Sequence, residues 1–336
     1  MQRVIDRLDL QNTLARQNLA YSDFAGDNFF LSYHTADEIM SFLTNMATKY
    51  SNLASLQQIG MTVQGSPIVG IRIHSPVGPS SKPLIVYNSL QHAREWISGA
   101  TTTYIINRLL TGYGQDATIT QLVDQIDWFI VPIVNVDGYR YTWDPQGNRL
   151  WRKNRRQVTS QCYGVDTNRN WGFAFQPSSI LEACLETYAG ATGFSEPENT
   201  AIANFLKNSS QVVAYIDFHS YSQLLMWPWA YQASPTPNAG AITVLGQKMS
   251  QAITAVHGTQ YTTGQIYEVI YPAYGSSVDF AYGVANVTYP YGVELRDTGD
   301  YGFLLPPTEI IPNGEEMFAA VKTMGKYIID NKIKRV

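Results

Sequence analysis

Residues 84–96 read LIVYNSLQHAREW, and the fold turns on how that stretch divides. Its first six residues form an apolar run of the kind that becomes a strand buried on both faces. A helical pattern over 98–111 follows at once, so His92 and Glu95 fall where a strand hands over to a helix. Working outward, β-rich segments are expected at about 53–60, 66–73, 83–88 and 126–134, with later strands at 212–218 and 288–294. Helices are expected at 35–49, 98–111, 115–124, 239–255 and 312–330. The first of these carries an apolar stripe of Ile39, Phe42, Leu43 and Met46 behind a Thr35 helix-start signal. Sheet segments alternating with helices, though not strictly, make the most economical fold a single α/β domain, its mixed sheet covered by helices on two faces.

Composition supports a large globular core. Of 336 residues, 45% are aliphatic, aromatic or sulfur-containing and 15% are charged, while 25 Gly and 16 Pro are spread along the chain. That distribution excludes disorder, collagen and coiled coil. No Pro- or Ser-rich linker, internal repeat or low-complexity block interrupts it. Residues 135–200, dense in Gly, Asn, Arg and Trp without sustained periodicity, read as long organised loops at a functional rim, with a solvated irregular connection as the alternative. The net charge of −4, from 23 basic and 27 acidic residues, sets up no strong field for nucleic acid or anionic lipid, although a local basic clamp stays compatible.

No apolar run approaches the length of a membrane span, and MQRVIDRLDLQNTLARQN lacks the hydrophobic centre of a signal peptide. Export is therefore not encoded in that stretch, and a preceding signal or pro-segment stays open. The two cysteines, Cys162 and Cys184, enclose a polar, Gly-containing stretch. A disulfide closing it would contribute about 3 kcal/mol of loop entropy; two buried thiols are the alternative. Asn208-Ser-Ser and Asn286-Val-Thr match glycosylation acceptors, which count only in a secretory compartment.

Among five histidines, His92 has an acidic partner three residues away in Glu95, a spacing that aims an imidazole and a carboxylate at one centre when it opens a helix. Such a pair is common by itself. His219, at the end of the apolar run VVAYIDFHS, supplies a third ligand if its strand finishes at the same sheet edge. Two imidazoles and a carboxylate suit a zinc ion with one position left open for chemistry, whereas a structural site would usually close with a fourth protein ligand. Unrelated core or surface polar groups are the competing reading. His34, His74 and His257 sit at the edges of predicted elements and read as structural or surface residues.

The motifs QHAREW, NVDGY, RLWRKNRR, GVDTNRNWGF, DFHSYSQLLMWPW, YGSSVDFAYG and ELRDTGDYGFLLP occur in this order, with the paired cysteines among them. From about Tyr33 to the C-terminus the sequence resembles the zinc carboxypeptidases of the funnel-type metallocarboxypeptidase family, particularly their secreted, pancreatic-type A branch. The resemblance implies a single catalytic domain, here 31–336, with a central mixed eight-stranded sheet flanked by helices. Residues 1–30 are then a tail or a connector retained from a pro-segment. It implies one zinc ion on His92, Glu95 and His219, with Asp166 orienting one of the imidazoles. One departure stands out: the family commonly has Gly two places before the first histidine ligand, where this chain has Leu90 followed by Gln91.

The same resemblance casts Glu294 as the catalytic glutamate and Arg152 as the stabiliser of the developing oxyanion. On pattern alone, Glu294 could equally pair with Arg296, and Arg152 could belong to a solvated basic run. Asn168, Arg169 and the mobile Tyr271 match residues that bind a free terminal carboxylate, which would make the reaction an exopeptidase one. Arg94, Tyr221 and Phe303 resemble contacts to peptide positions upstream of the cleaved bond. Val278 falls on the base-of-pocket selector, and with Met226, Ala230, Ile266, Ala273, Ser276 and Gly292 it implies an uncharged pocket for an aliphatic or aromatic terminal side chain. Cys162 and Cys184 match the disulfide-bearing loop of secreted members. The expected partners are peptides or proteins with free C-termini and an inhibitory pro-domain, with no nucleic acid or membrane, and the expected state is a monomer. The rival readings are a zinc-dependent peptide-binding protein without turnover and an internally cleaving metalloprotease.

Overall fold

The apolar run 84–89 forms one of the inner strands of an eight-stranded sheet, in a computed structural model that describes residues 27–79 and 81–333. In chain order the elements are α1 (Ala36–Lys49), β1 (Ala54–Met61), β2 (Pro67–Ile73), β3 (Leu84–Ser89), α2 (Trp96–Gly112), α3 (Ala117–Gln125), β4 (Asp127–Val131), α4 (Val136–Trp143) and α5 (Pro197–Asn208). They continue with β5 (Val212–Ser220), β6 (Leu224–Trp227), α6 (Ala239–His257), β7 (Thr262–Gln265), α7 (Ile266–Val269), α8 (Ser277–Gly283), β8 (Tyr289–Leu295) and α9 (Ile310–Asp330). The strand order is β1-β2-β4-β3-β5-β8-β6-β7. The sheet is mixed, with β4, β3, β5 and β8 mutually parallel and antiparallel neighbours at both flanks.

Every residue of β3 and β5 is buried, which explains why both read as near-continuous apolar runs rather than as alternating ones. Ile85, Tyr87, Trp128 and Ile216 face the larger core, shared with α2, α3, α6 and α9. Val86, Phe129 and Tyr215 face the opposite layer, where Ile202 and Leu206 of α5 and Phe280 of α8 pack. The Thr35 signal is realised as a capping box, with Glu38 returning to the Thr35 amide at 2.7 Å.

The predicted elements are present with ends shifted by a few residues. The 135–200 stretch departs from its all-loop reading, because α4 and the start of α5 lie inside it. Between them, residues 144–196 hold one short 3-10 turn, Ile180–Glu182, and one isolated bridge, Gln157 to Tyr163. Strands β6 and β7 were not anticipated. Of the expected leader 1–30, residues 1–26 lie outside the described residues, while Phe29 and Phe30 are buried against Phe42.

Candidate active site

Three neighbouring parallel strands, β3, β5 and β8, end at one edge of the sheet, where an open α/β sheet offers its crevice. His219 and Glu294 are register partners across β5 and β8, so their side chains share a face. His92 lies in the turn after β3. Glu95 occupies the position just before α2 but makes no capping bond, because its carboxylate turns toward the two histidines. Leu90, where the resembled family commonly has Gly, has φ 52°, in the left-handed region that favours glycine. Its fully buried side chain fits because Gly99 of α2 leaves room: a Cβ there would stand 2.5 Å from Leu90 Cδ1.

His92 Nδ1 and Glu95 Oε1 are 2.8 Å apart, His219 Nδ1 and Glu95 Oε2 are 2.9 Å apart, and the two Nδ1 atoms approach to 3.1 Å. All three side chains are buried, and their ligand atoms lie within 4.8 Å of one another. The outer nitrogens face carboxylates: His92 Nε2 lies 3.1 Å from Asp166 Oδ1, and His219 Nε2 lies 2.8 Å from Asp217 Oδ2. Each ring thus has a carboxylate at both nitrogens; a cation held between the two Nδ1 atoms and Glu95 would leave each ring its proton on Nε2, donated to Asp166 or Asp217, with an Nδ1 lone pair aimed inward. Two lone pairs and a carboxylate converging on one point fit a cation, and this donor set suits zinc.

Asp166 also receives Arg152, through Nε at 3.0 Å and Nη2 at 2.9 Å. Burial would raise its carboxyl, but Arg152 and His92 hold it well below the usual range. The balance is opposite at Glu294, where burial and then the Glu95 charge push the carboxyl up to about 8. The pattern-level alternative, a Glu294–Arg296 pair, is not what forms: Arg296 pairs with Glu309 at 2.5 Å and with Glu316.

Farther along the cleft, Arg169 Nη2 donates to Tyr271 Oη at 3.1 Å and Nη1 donates to the Asn168 carbonyl at 2.7 Å. Asn168 Oδ1 accepts the Ser277 N–H at 2.9 Å, which orients the amide with its NH2 toward His219, 3.2 Å from Nε2. Tyr271 is 48% exposed and so has room to move.

One cleft of about 550 Å³ is lined by His92, His219, Arg152, Glu294, Asn168, Arg169 and Tyr271 together with Met226, Ala230, Ile266, Ala273, Ser276, Val278 and Gly292. Ile270 and Val293 also line it and were not singled out from sequence. Asp279, next to Val278, faces away: its carboxyl accepts the N–H groups of Ala230 and Tyr231 and is buried. Arg94, Tyr221 and Phe303 come together as a separate cluster, with the Arg94 guanidinium 4.1 Å from the Phe303 ring centre and the Tyr221 and Phe303 rings 4.9 Å apart. Arg94 also pairs with Glu186 at 2.8 Å. Cys162 and Cys184 form a disulfide.

Sequence reasoning missed Asp217 and its donors Asn88, Gln91 and Ser277. The available signal was strand alternation, since a carboxylate two residues before a candidate ligand shares its face.

A family model described as zinc carboxypeptidase matches residues 39–320. The chain is 39% identical over 330 residues to zinc carboxypeptidase A 1 of Anopheles gambiae, covering 96% of this chain and 72% of that protein. It is also 39% identical over 303 residues to carboxypeptidase B of Astacus astacus, covering 89% of this chain and 98% of that protein. The crystal structure of the carboxypeptidase A from Helicoverpa armigera aligns with a TM-score of 0.88 at 29% identity, covering 97% of this chain and 80% of that one.

Proposed function

Because the chain belongs to the zinc carboxypeptidase family and is a metallo-exopeptidase acting on peptide C-termini, we propose that it releases a single uncharged, preferably aliphatic or aromatic, terminal residue. Names of both the A and the B type occur among its relatives, so the preference rests on the pocket. Its lining from Met226 to Gly292 offers no acidic group, and Val278 stands at the selector position. Turning Asp279 toward backbone amides keeps the nearest carboxyl from pairing with a terminal Lys or Arg.

His92, Glu95 and His219 would hold the ion. Zinc supplies, when bound there, a Lewis acid for the scissile carbonyl and a lowered pKa for an attacking water. Glu294 would take a proton from the attacking water and pass it to the leaving amide nitrogen, a task suited to a half-buried carboxylate facing His219 across the strand pair. Arg152, held in place by Asp166, presents its permanent charge to the oxygen that becomes negative in the transition state. Arg169 receives the terminal carboxylate, joined by Tyr271 and by the Asn168 amide, whose NH2 stays free to donate because His219 Nε2–H is engaged by Asp217. Arg94, Tyr221 and Phe303 serve residues upstream of the cleaved bond. Holding the terminus at one end and the carbonyl at the other converts the attack into an intramolecular step.

The Cys162–Cys184 disulfide supports an extracellular, oxidising destination. Action as a monomer, released from a precursor with an inhibitory pro-domain, completes the proposal and rests on the family resemblance. Among the described residues no helix is long and apolar enough to cross a membrane.

The observation that carries the reading is that one cleft is lined by His92 and His219, by Glu294, by Arg152 and Arg169, and by an uncharged end. Timed mass spectrometry on peptides ending in Phe, Leu or Arg, as free acids and as amides, tests it. Loss of one residue from the apolar free acids, abolished by chelation and restored by zinc, is the expected result. Equal cleavage of the amides, or preference for Arg, overturns it.

A further inference from the structure

We infer that Asp217 is a positioning residue for the metal, orienting His219 and tying that ligand to the wall that carries the substrate pocket. The inference deepens the zinc reading of the site and rests on it. Asp217 is fully buried in β5, two residues before His219 and on the same face. Its Oδ1 accepts Asn88 Nδ2 at 2.7 Å, from the register partner in β3. Its Oδ2 lies 2.8 Å from His219 Nε2 and accepts Gln91 Nε2 at 2.5 Å and Ser277 Oγ at 2.5 Å. Four donors thus fill a group with about four acceptor sites.

That charge has a different setting from its counterpart. Asp166 has Arg152 as well as a histidine, whereas among the described residues the ion pair of Asp217 is with His219. A buried carboxylate without Lys or Arg is costly, and here the compensating positive charge lies through the imidazole, at the metal. Asp217 therefore makes His219 a stronger and better-aimed ligand, as carboxylate partners of zinc histidines do. The anchoring reaches further on both sides. Gln91 precedes His92 and is itself oriented by Trp171 Nε1, which donates to Gln91 Oε1 at 3.2 Å. Ser277 begins α8, the helix bearing Val278, and gives its N–H to Asn168. The metal ligand and the start of the pocket helix meet at this one side chain, and the Asn168 amide joins them through Ser277.

The test is zinc affinity, read by chelator competition on the full chain, with the visible spectrum of the Co(II)-substituted protein as a second readout. Asp217→Asn keeps the shape and removes the charge, and weakens zinc binding about 10–100-fold with an altered Co(II) spectrum. Ser277→Ala loosens one anchor and weakens binding about threefold, and carries the test if Asp217→Asn does not fold. Affinity within twofold of the parent for the folded variants, with an unchanged Co(II) spectrum, overturns the role of Asp217 and leaves the zinc site standing. Failure of the parent to bind zinc stoichiometrically overturns both.

Discussion

The two walls of the cleft obey different rules. On the metal wall, the buried Glu95, Asp166 and His219 and the half-buried Arg152 are charged or chargeable groups, each held by named partners at 2.8–3.1 Å. On the pocket wall, Met226, Ala230, Ile266, Ala273 and Val278 form a small apolar cluster with no charge. Charge in a low-dielectric site acts nearly all or none, because a group left unpaired bears its full desolvation cost. Apolar contact scales with area, so the pocket can change by increments. The difference teaches where variation should be tolerated: on the proposed function, the metal wall would govern whether the bond is cut, and the pocket wall which residue leaves.

The sharpest way to break that comparison is Glu294→Gln. It should lower kcat by about 10²–10⁴-fold with zinc content and KM little changed, checked by steady-state kinetics and metal analysis. In the parent enzyme the Glu294 carboxyl, raised to about 8 by burial and Glu95, must lose its proton to act as base. Activity therefore rises with pH along an acid limb at or below that value, the charge of bound zinc drawing it downward. A pH profile with no acid limb would move the base role elsewhere. On the other wall, Val278→Asp should leave the chemistry intact and exchange the substrate: about 10–200-fold lower kcat/KM on terminal Phe or Leu, with a gain on Arg. A comparable loss on every peptide would show that the walls are not separable.

Gly292→Ala probes the pocket more gently. The added Cβ would stand 3.4 Å from Val278 Cγ2 and 4.0 Å from Ile266 Cδ1. Terminal Trp and Phe should lose about threefold to tenfold relative to Val and Leu in a competition assay, and an unchanged ratio would remove Gly292 from the determinants of pocket depth. The smallest effect belongs to a carboxyl outside both walls. Burial raises Glu198 from 4.5 to about 7. Its folded pKa exceeds its unfolded one, so its contribution is present below about 4.5 and is lost as pH rises through about 7. Glu198→Gln should flatten the pH dependence of the unfolding free energy across that window, by an amount on the order of 3 kcal/mol, read by denaturant melts at several pH values. Activity at saturating substrate should not change.

Much of the scaffold was legible because its inner strands are buried on both faces. LIVYNS and VVAYIDFHS announce themselves by continuous apolar character, and α1 by its stripe and capping box. Strand β7, TTGQ, has no such signal: it is a four-residue edge strand held by its neighbour. Helix α4, VDGYRYTW, mixes Gly with β-branched and aromatic residues, so its pattern is weak and its Asn135 cap is its clearest mark. Pro197 at the first turn of α5 was a readable start that the Gly-rich surroundings concealed. At the site, residue type and motif order were enough to nominate the ligands and Val278. They were not enough for Asp217, whose meaning depends on what α8 and the turn after β3 bring against it.

The amino-acid sequence by itself determined the alternation of strand and helix, the uncharged side chain at position 278 and the chemical kinds available for a metal, because these depend on local pattern and side-chain identity. Only the tertiary structure decided that Glu95 and His219, 124 positions apart, meet at 2.9 Å, and that Glu294 faces His219 while Arg296 turns to Glu309 and Glu316. Alternation along a strand tells which face a residue occupies. Which strand lies beside it, and in what register, is set by long-range packing of the whole sheet.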